Sequence, residues 1–162
     1  MADAERIEVD LGRQELRLLD GARVLARYAV STARNGAGAI MNSECTPRGA
    51  HAIAEKIGAG CAPNTVFVAR RPTGEIYDAE FAVRHPGRDW ILTRILWLTG
   101  LEPGFNAGGE RDTHARYIYL HGTPDSTPLG VPGSRGCVRM RNADILELFE
   151  RVAVGTRVDI RE

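Results

Sequence analysis

Short runs in which hydrophobic and polar side chains alternate recur through most of the chain, and this period of two residues predicts β-strands. Three runs come first, at residues 7–11, 16–18 and 24–30, and Asp20-Gly21 supplies a two-residue hairpin turn between the second and the third. The first third of the chain is therefore predicted to form a meander. Further strands are predicted at residues 50–57, 65–69, 75–77, 91–98, 117–120 and 156–160.

One segment, near residues 143–153, has the period of a helix. Asn142 is placed to cap its start, and Gly155 lies just past its end. The 18 glycines and 8 prolines, many of them between the predicted strands, are typical of the turns of an all-β sandwich or barrel. We therefore expect a mostly β fold with few helices. The hydrophobic residues that recur at helical spacing are Ile145, Leu146, Phe149 and Val152.

Length and charge narrow the classes of protein. A chain of 162 residues with 43% hydrophobic content suits one well-buried domain, spanning residues 1–162. The 21 basic residues balance the 21 acidic ones and are scattered, so neither nucleic acid nor a membrane surface is expected as a partner. The first ten residues carry acids where a secretory signal needs basic residues, and an odd count of 3 cysteines favours a reducing compartment. We therefore expect a cytoplasmic protein.

The residues that could carry chemistry concentrate between positions 118 and 140. His121 ends an apolar strand, and Cys137 follows sixteen residues later behind a Ser-Arg-Gly turn. A histidine that takes the proton of a thiol is a common nucleophile-and-base arrangement. Arg135 and Arg139 lie within two residues of the cysteine and are expected to favour its thiolate. The residue types alone also fit a structural pair, because most buried cysteines are inert and most histidines are structural.

Gly136 lacks a Cβ directly before the cysteine. Backbone N–H groups near Gly136 and Cys137 could therefore converge on a developing oxyanion. A metal site is not expected, because Cys45 and Cys61, with His51 between them, lack the paired Cys-x-x-Cys motifs of zinc modules. No cofactor is expected either. Two glycine-rich stretches without strand periodicity, residues 34–49 and 100–113, are long enough to be mobile or to form part of a binding site.

The motifs around these residues resemble the signature of YkuD-type L,D-transpeptidases. They read Ile-Tyr-Leu-His-Gly-Thr at 118–123, Ser-x-Gly-Cys-Val-Arg-Met at 134–140, Asn-x-Asp-Ile at 142–145 and Gly-Thr-x-Val at 155–158. Upstream, Val-Ser-Thr-Ala at 30–33 and the loop of Thr46, Pro47 and Gly49 are similar to the family's preceding strand and substrate-side loop. The resemblance thus covers most of the chain. One position differs from the family signature, because Arg135 stands where many members carry histidine.

The resemblance implies a YkuD-like β-sandwich or barrel that acts on peptidoglycan stem tetrapeptides. Cys137 would attack the carbonyl of the third residue, usually meso-diaminopimelate, and expel the terminal D-alanine. His121 would be the base, and the backbone carbonyl of Gly122 would orient its imidazole. Ser134 and Arg139 would hold the loop and a substrate carboxylate, and the expected substrate-binding set is Ser134, Arg135, Arg139, Thr46, Pro47 and Gly49.

Two acceptors can resolve the resulting thioester. An amine of a second stem peptide gives a cross-link, whereas water gives L,D-carboxypeptidase activity. A cytoplasmic member would meet soluble muropeptides, so trimming of tetrapeptides in muropeptide recycling is expected at least as strongly as cross-linking. Carbapenem-type β-lactams are expected to acylate Cys137.

Two other classes stay open at this point. A non-catalytic peptidoglycan-binding module could keep the same fold, although the intact His121 and Cys137 argue against it. A papain-like hydrolase would place its cysteine before its histidine, and here the order is reversed.

Overall fold

In the computed structural model, which describes residues 5–162, ten strands form one sheet, and eight of them close into a barrel. The closed part has the order β4-β10-β1-β2-β3-β9-β8-β7, and β7 pairs again with β4. β5 and β6 form a hairpin that extends from β7. The strands are β1 (Glu5–Asp10), β2 (Glu15–Asp20), β3 (Arg23–Ser31), β4 (Gly49–Ile57), β5 (Thr65–Val68), β6 (Arg71–Ile76), β7 (Leu92–Gly100), β8 (Tyr119–Thr123), β9 (Val138–Arg141) and β10 (Arg157–Arg161).

The predicted meander is present, since β1 pairs antiparallel with β2 and β2 with β3. Asp20 still pairs with Arg23, so the hairpin turn is Gly21-Ala22, one residue later than predicted. The alternating residues that predicted these strands are buried, for example Ile7 and Val9. The prediction of a mostly β barrel or sandwich with few helices is therefore confirmed.

The helix near the carboxyl end is α2 (Asn142–Arg151), which packs against β7, β8 and β9. Its buried face holds Leu148 in place of the predicted Leu146, because residues three, four and seven positions after Ile145 lie on one side of a helix. The prediction that Asn142 caps the helix is wrong. Arg141 is the N-cap residue, and Asn142 is the first helical residue, with its side chain buried.

Neither α1 (Ala79–Arg84) nor β9 was predicted. α1 is capped by Asp78, whose carboxylate accepts the N–H of Phe81 at 2.7 Å, but the helix buries no residue and so leaves no periodic pattern. β9 has only four residues and directly follows Cys137. Neither α-helix between residues 5 and 162 is long and apolar enough to cross a membrane.

Candidate active site

Two parallel strands bring the predicted nucleophile and base together. β8 and β9 pair so that Leu120 lies opposite Val138 and His121 opposite Arg139. Cys137, directly before β9, is therefore level with Tyr119, and alternate residues of each strand share a face. The shared face opens into a cavity of ≈ 320 Å³. Its lining is Phe67, Val68, Ala69, Arg70, Asp89, Ile91, Ile95, Tyr117, Tyr119, His121, Ser134, Arg135, Cys137 and Arg139.

The sulfur of Cys137 has a backbone partner on each side. The Tyr119 N–H donates to Sγ at 3.3 Å, and the thiol donates to the Tyr117 carbonyl at 3.3 Å. Burial raises the pKa of Cys137 to about 12, although the Tyr119 N–H and the nearby Arg139 and Arg116 act in the opposite direction. The resting group is therefore a protonated thiol.

The expected thiolate is thus not the resting state, and the reason lies in how the two arginines are placed. Arg139 forms an ion pair with Asp89 at 2.9 Å and also donates to the Gly133 carbonyl at 3.0 Å. Arg135 is exposed at the rim of the cavity. Neither charge outweighs the burial of the sulfur, so the thiol needs a base.

His121 is placed and protonated as a base would be. Its side chain is buried, and Nδ1 lies 2.6 Å from the Gly122 carbonyl oxygen. A carbonyl oxygen can only accept, so Nδ1 carries the hydrogen and Nε2 keeps its lone pair. Burial lowers the pKa of His121, which keeps the imidazole neutral near neutral pH.

Gly122 is held at a point where no side chain would fit. An added Cβ would lie 2.5 Å from the Leu92 carbonyl oxygen and closer still to Asn142 Oδ1. Leu92 pairs with Gly122, and the β7–β8 register shifts between Leu92 and Ile95. The backbone that holds the base is therefore packed tightly on both the strand and the start of α2.

A buried polar network lies directly behind Gly122. Thr93 donates from Oγ1 to Asn142 Oδ1 at 2.6 Å, and Asn142 Nδ2 donates to Asn64 Oδ1 at 3.0 Å and to Asp125 Oδ1 at 3.3 Å. Thr93 has a φ of 75°, which is rare for a β-branched residue. The sequence interpretation missed this network, although Asn142 begins the Asn-x-Asp-Ile motif at 142–145.

The turn before Cys137 is fixed by its own polar groups. Ser134 donates from Oγ to the Cys137 carbonyl at 2.5 Å and accepts the Gly136 N–H at 3.2 Å. Gly136 has a φ of 132°, a conformation that favours glycine. Ser134 thus already accepts the Gly136 N–H, one of the backbone donors expected near a developing oxyanion, and that donor would first have to leave Ser134.

The loop of Thr46, Pro47 and Gly49 lies behind the nucleophile, and none of the three lines the cavity. Thr46 is fully buried, donates to the Gly136 carbonyl at 2.9 Å and accepts the Ala33 N–H at 2.9 Å. Pro47 is buried, and Gly49 begins β4 beneath Glu102. Their position fits support of the cysteine turn better than contact with a ligand in this cavity.

Three residues of the site had no signal in the sequence. Asp89, which pairs with Arg139, precedes β7, and Arg70 lies in the β5–β6 turn. Arg116 donates to the Cys45 carbonyl at 2.7 Å, behind Gly136. Asp89 and Arg70 are far from the motifs in the chain, and only the fold brings them close to Cys137, whereas Arg116 lies two residues before the motif at 118–123.

No group of three or more metal-binding side chains that could hold an ion is present among residues 5–162. His51, which lies between Cys45 and Cys61 in the sequence, is fully buried. Its Nδ1 lies 3.0 Å from the Gly49 carbonyl, and its Nε2 lies 3.0 Å from Thr113 Oγ1. It joins β4 to the loop before β8.

The chain is similar to L,D-transpeptidases in sequence. Residues 4–160 match the family model described as the YkuD L,D-transpeptidase catalytic domain. The protein named YkuD in Bacillus subtilis (strain 168) is 46% identical over 94 residues, which are 58% of this chain and 47% of that protein. YbiS of Escherichia coli (strain K12) is 54% identical over 43 residues, which are 26% of this chain and 14% of that protein. The matched segments thus span about half or less of these relatives' own length.

Solved structures share the fold. An L,D-transpeptidase from Mycobacterium smegmatis superposes with a TM-score of 0.61 at 16% identity, over 98% of this chain and 59% of that one. The structure of LdtMt1 in complex with imipenem gives 0.56 at 15% identity, over 98% and 59%. At such identities the likeness shows the fold alone, whereas the sequence match covers nearly every residue. The chain therefore belongs to the YkuD family of L,D-transpeptidase catalytic domains.

Proposed function

We propose that this protein transfers acyl groups through a thioester on Cys137, acting on peptidoglycan stem tetrapeptides. The observation that carries the proposal is that one cavity is lined by both a protonated thiol and a neutral, buried imidazole whose tautomer is fixed by the Gly122 carbonyl. Such a pair can act as nucleophile and general base without first forming a thiolate.

In the first half-reaction, the thiol turns from the Tyr117 carbonyl toward His121 Nε2 and gives up its proton as Sγ attacks the carbonyl carbon of the third residue. The C–N bond to the terminal D-alanine breaks, and the imidazolium returns the proton to the leaving amine. A thioester on Cys137 remains, and His121 is neutral again.

Backbone groups around the sulfur support this step. The Tyr119 N–H already donates to Sγ, so it stabilises negative charge that develops there during deprotonation. Since Ser134 accepts the Gly136 N–H, the N–H of Cys137 is the candidate donor to the oxyanion. Ser134 therefore acts through the shape of the turn, and Arg135 and Arg139 are the proposed substrate-facing cations.

The second half-reaction defines the product. Water gives a tripeptide, and the protein is then an L,D-carboxypeptidase suited to muropeptide recycling; an amine gives a cross-link. Trimming in the cytoplasm stays a prediction, because it depends on location as well as chemistry. The imipenem complex of LdtMt1 supports the further expectation that a carbapenem acylates Cys137.

Mass-resolved turnover of a disaccharide tetrapeptide tests the proposal, with and without a diaminopimelate-bearing acceptor. We expect loss of one D-alanine by the wild type and no loss by Cys137→Ala, and the ratio of tripeptide to dimer gives the preferred acceptor. Only dimers and no tripeptide would contradict the carboxypeptidase assignment. Binding of the tetrapeptide without turnover under either condition would favour the non-catalytic module.

A further inference from the structure

The turn between β5 and β6 holds an arginine in an unfavourable backbone conformation. Two residues, Ala69 and Arg70, connect these strands, and their φ values are 49° and 64°. Two-residue hairpin turns of this kind strongly prefer Asn and Gly, because other side chains crowd the backbone at positive φ. A large side chain kept at such a position suggests that the side chain itself has a use.

The guanidinium of Arg70 is anchored over the floor of the active-site cavity. Its Nη1 donates to the Tyr119 hydroxyl at 3.1 Å, and its Cζ lies 4.5 Å from the ring centre of Tyr117 and 5.1 Å from that of Trp97. Tyr119 is the residue whose backbone N–H reaches the sulfur of Cys137. Arg70 therefore stands one tyrosine side chain away from the nucleophile.

The guanidinium of Arg70 also has unused hydrogen-bond donors. It forms no ion pair among residues 5–162, and the single contact to Tyr119 leaves most of its five N–H groups unused. Because the Tyr119 oxygen accepts from Arg70, its own O–H can donate elsewhere, and burial raises the pKa of Tyr119 so that the phenol stays protonated. The two side chains together present several donors and no strong acceptor.

The charge of the cavity favours an anion. Three arginines, Arg70, Arg135 and Arg139, line it with one carboxylate, Asp89, which is already paired with Arg139. Since His121 is neutral and Cys137 protonated, the lining carries a formal excess of two positive charges. A planar guanidinium beside a phenol matches the geometry of a carboxylate, which can accept two parallel hydrogen bonds.

We propose that Arg70, together with the hydroxyl of Tyr119, binds a carboxylate of the acyl-donor peptide and makes the enzyme select charged over amidated donors. This inference rests on the proposed function, and it adds a substrate-binding residue outside the sequence motifs. Two carboxylates near the scissile bond share the required chemistry: the side-chain carboxylate of the third residue and the carboxyl terminus of the leaving residue.

Three tetrapeptides separate these sources: one with both carboxylates free, one with the side-chain carboxylate of the third residue amidated, and one with the C-terminus amidated. The kcat/KM of each is measured for the wild type, Arg70→Gln and Arg71→Gln. Arg71 is a matched control, because it is the next residue, is exposed and does not line the cavity. Ratios between substrates within one variant cancel differences in folding or active fraction.

We expect the wild type and Arg71→Gln to favour the free carboxylate over one of the two amides by about tenfold or more, the effect of one charged hydrogen bond. Arg70→Gln should bring that ratio close to one and leave the other ratio unchanged, and the affected amide identifies the carboxylate. The inference is overturned if Arg70→Gln keeps the wild-type ratios or if the wild type shows no preference. Turnover of none of the peptides by the wild type would instead overturn the proposed function and this inference with it.

Discussion

Replacing Asn142 by alanine is expected to destabilise the fold and to displace His121, the proposed base. The side chain is buried, accepts from Thr93 at 2.6 Å and donates to Asn64 at 3.0 Å. Alanine leaves the fully buried Thr93 hydroxyl without its acceptor, which costs about 1–3 kcal/mol. Asn64 is only half-buried, so water can replace its lost partner. Alanine is the better helix former by ~0.5 kcal/mol, which offsets part of the loss.

The net loss is therefore about 1.5 kcal/mol in the free energy of unfolding, or roughly 3–6 °C in melting temperature for a domain of this size. Activity should fall as well, because Asn142 Oδ1 packs against Gly122, whose carbonyl holds the imidazole of His121. Displacement of a base by a fraction of an ångström lowers kcat by about 10- to 100-fold. KM should change little, since Asn142 does not line the cavity.

Thermal unfolding measures the loss of stability. Steady-state kinetics measures the loss of activity, at one temperature well below the melting transitions of both proteins. Glu150→Ala is the matched control, because the exposed side chain of Glu150 on the same helix makes no hydrogen bond or ion pair with residues 5–162, and its replacement should stay within ~0.5 kcal/mol. A variant of Asn142 that melts like the wild type, or that is destabilised yet keeps the wild-type kcat, would contradict the positioning role.

Three further predictions concern other parts of the site and the fold. Thr46→Val removes the hydrogen bonds to Gly136 and Ala33 and should cost about 2–3 kcal/mol in urea unfolding, with a lower kcat; unchanged stability would contradict this. Burial lowers the pKa of His51 from 6.5 to about 4, so between these pH values the unfolded chain binds a proton that the folded protein does not. The stability of the folded protein should therefore fall as the pH drops from 6.5 to about 4, and melting curves of His51→Asn should show a smaller fall. A carbapenem should add its mass to the wild type but not to Cys137→Ala, and an adduct on both would place the reactive group elsewhere.

Most of the barrel could be predicted from the sequence because its strands are amphipathic. Each run that buries alternate residues, such as β1 with Ile7 and Val9, leaves a two-residue period. Short elements leave none: β9 has four residues, and α1 buries no side chain. Closure of the barrel by β4 and β7 depends on pairing between distant segments, which a single sequence does not specify.

The candidate site could likewise be predicted only in part from the sequence. His121 and Cys137 could be found because strongly local motifs surround them, but their protonation could not. Arg139 was expected to favour the thiolate, whereas Asp89, fifty residues earlier in the chain, pairs with it in the folded structure. The burial that raises the pKa of the thiol is likewise a property of the closed barrel. Arg70 illustrates the same limit, since its hairpin reaches the cavity only after β5 pairs with β7.

The proposed role of Cys137 as nucleophile is tested most simply by intact-protein mass spectrometry of the protein mixed with a disaccharide tetrapeptide and quenched in acid, with release of D-alanine followed in parallel. We expect the wild type to gain the mass of the disaccharide-tripeptide acyl group as it releases D-alanine, and Cys137→Ala to show neither change. Release of D-alanine by Cys137→Ala at the wild-type rate, or a tripeptide adduct on another residue, would contradict the thioester mechanism.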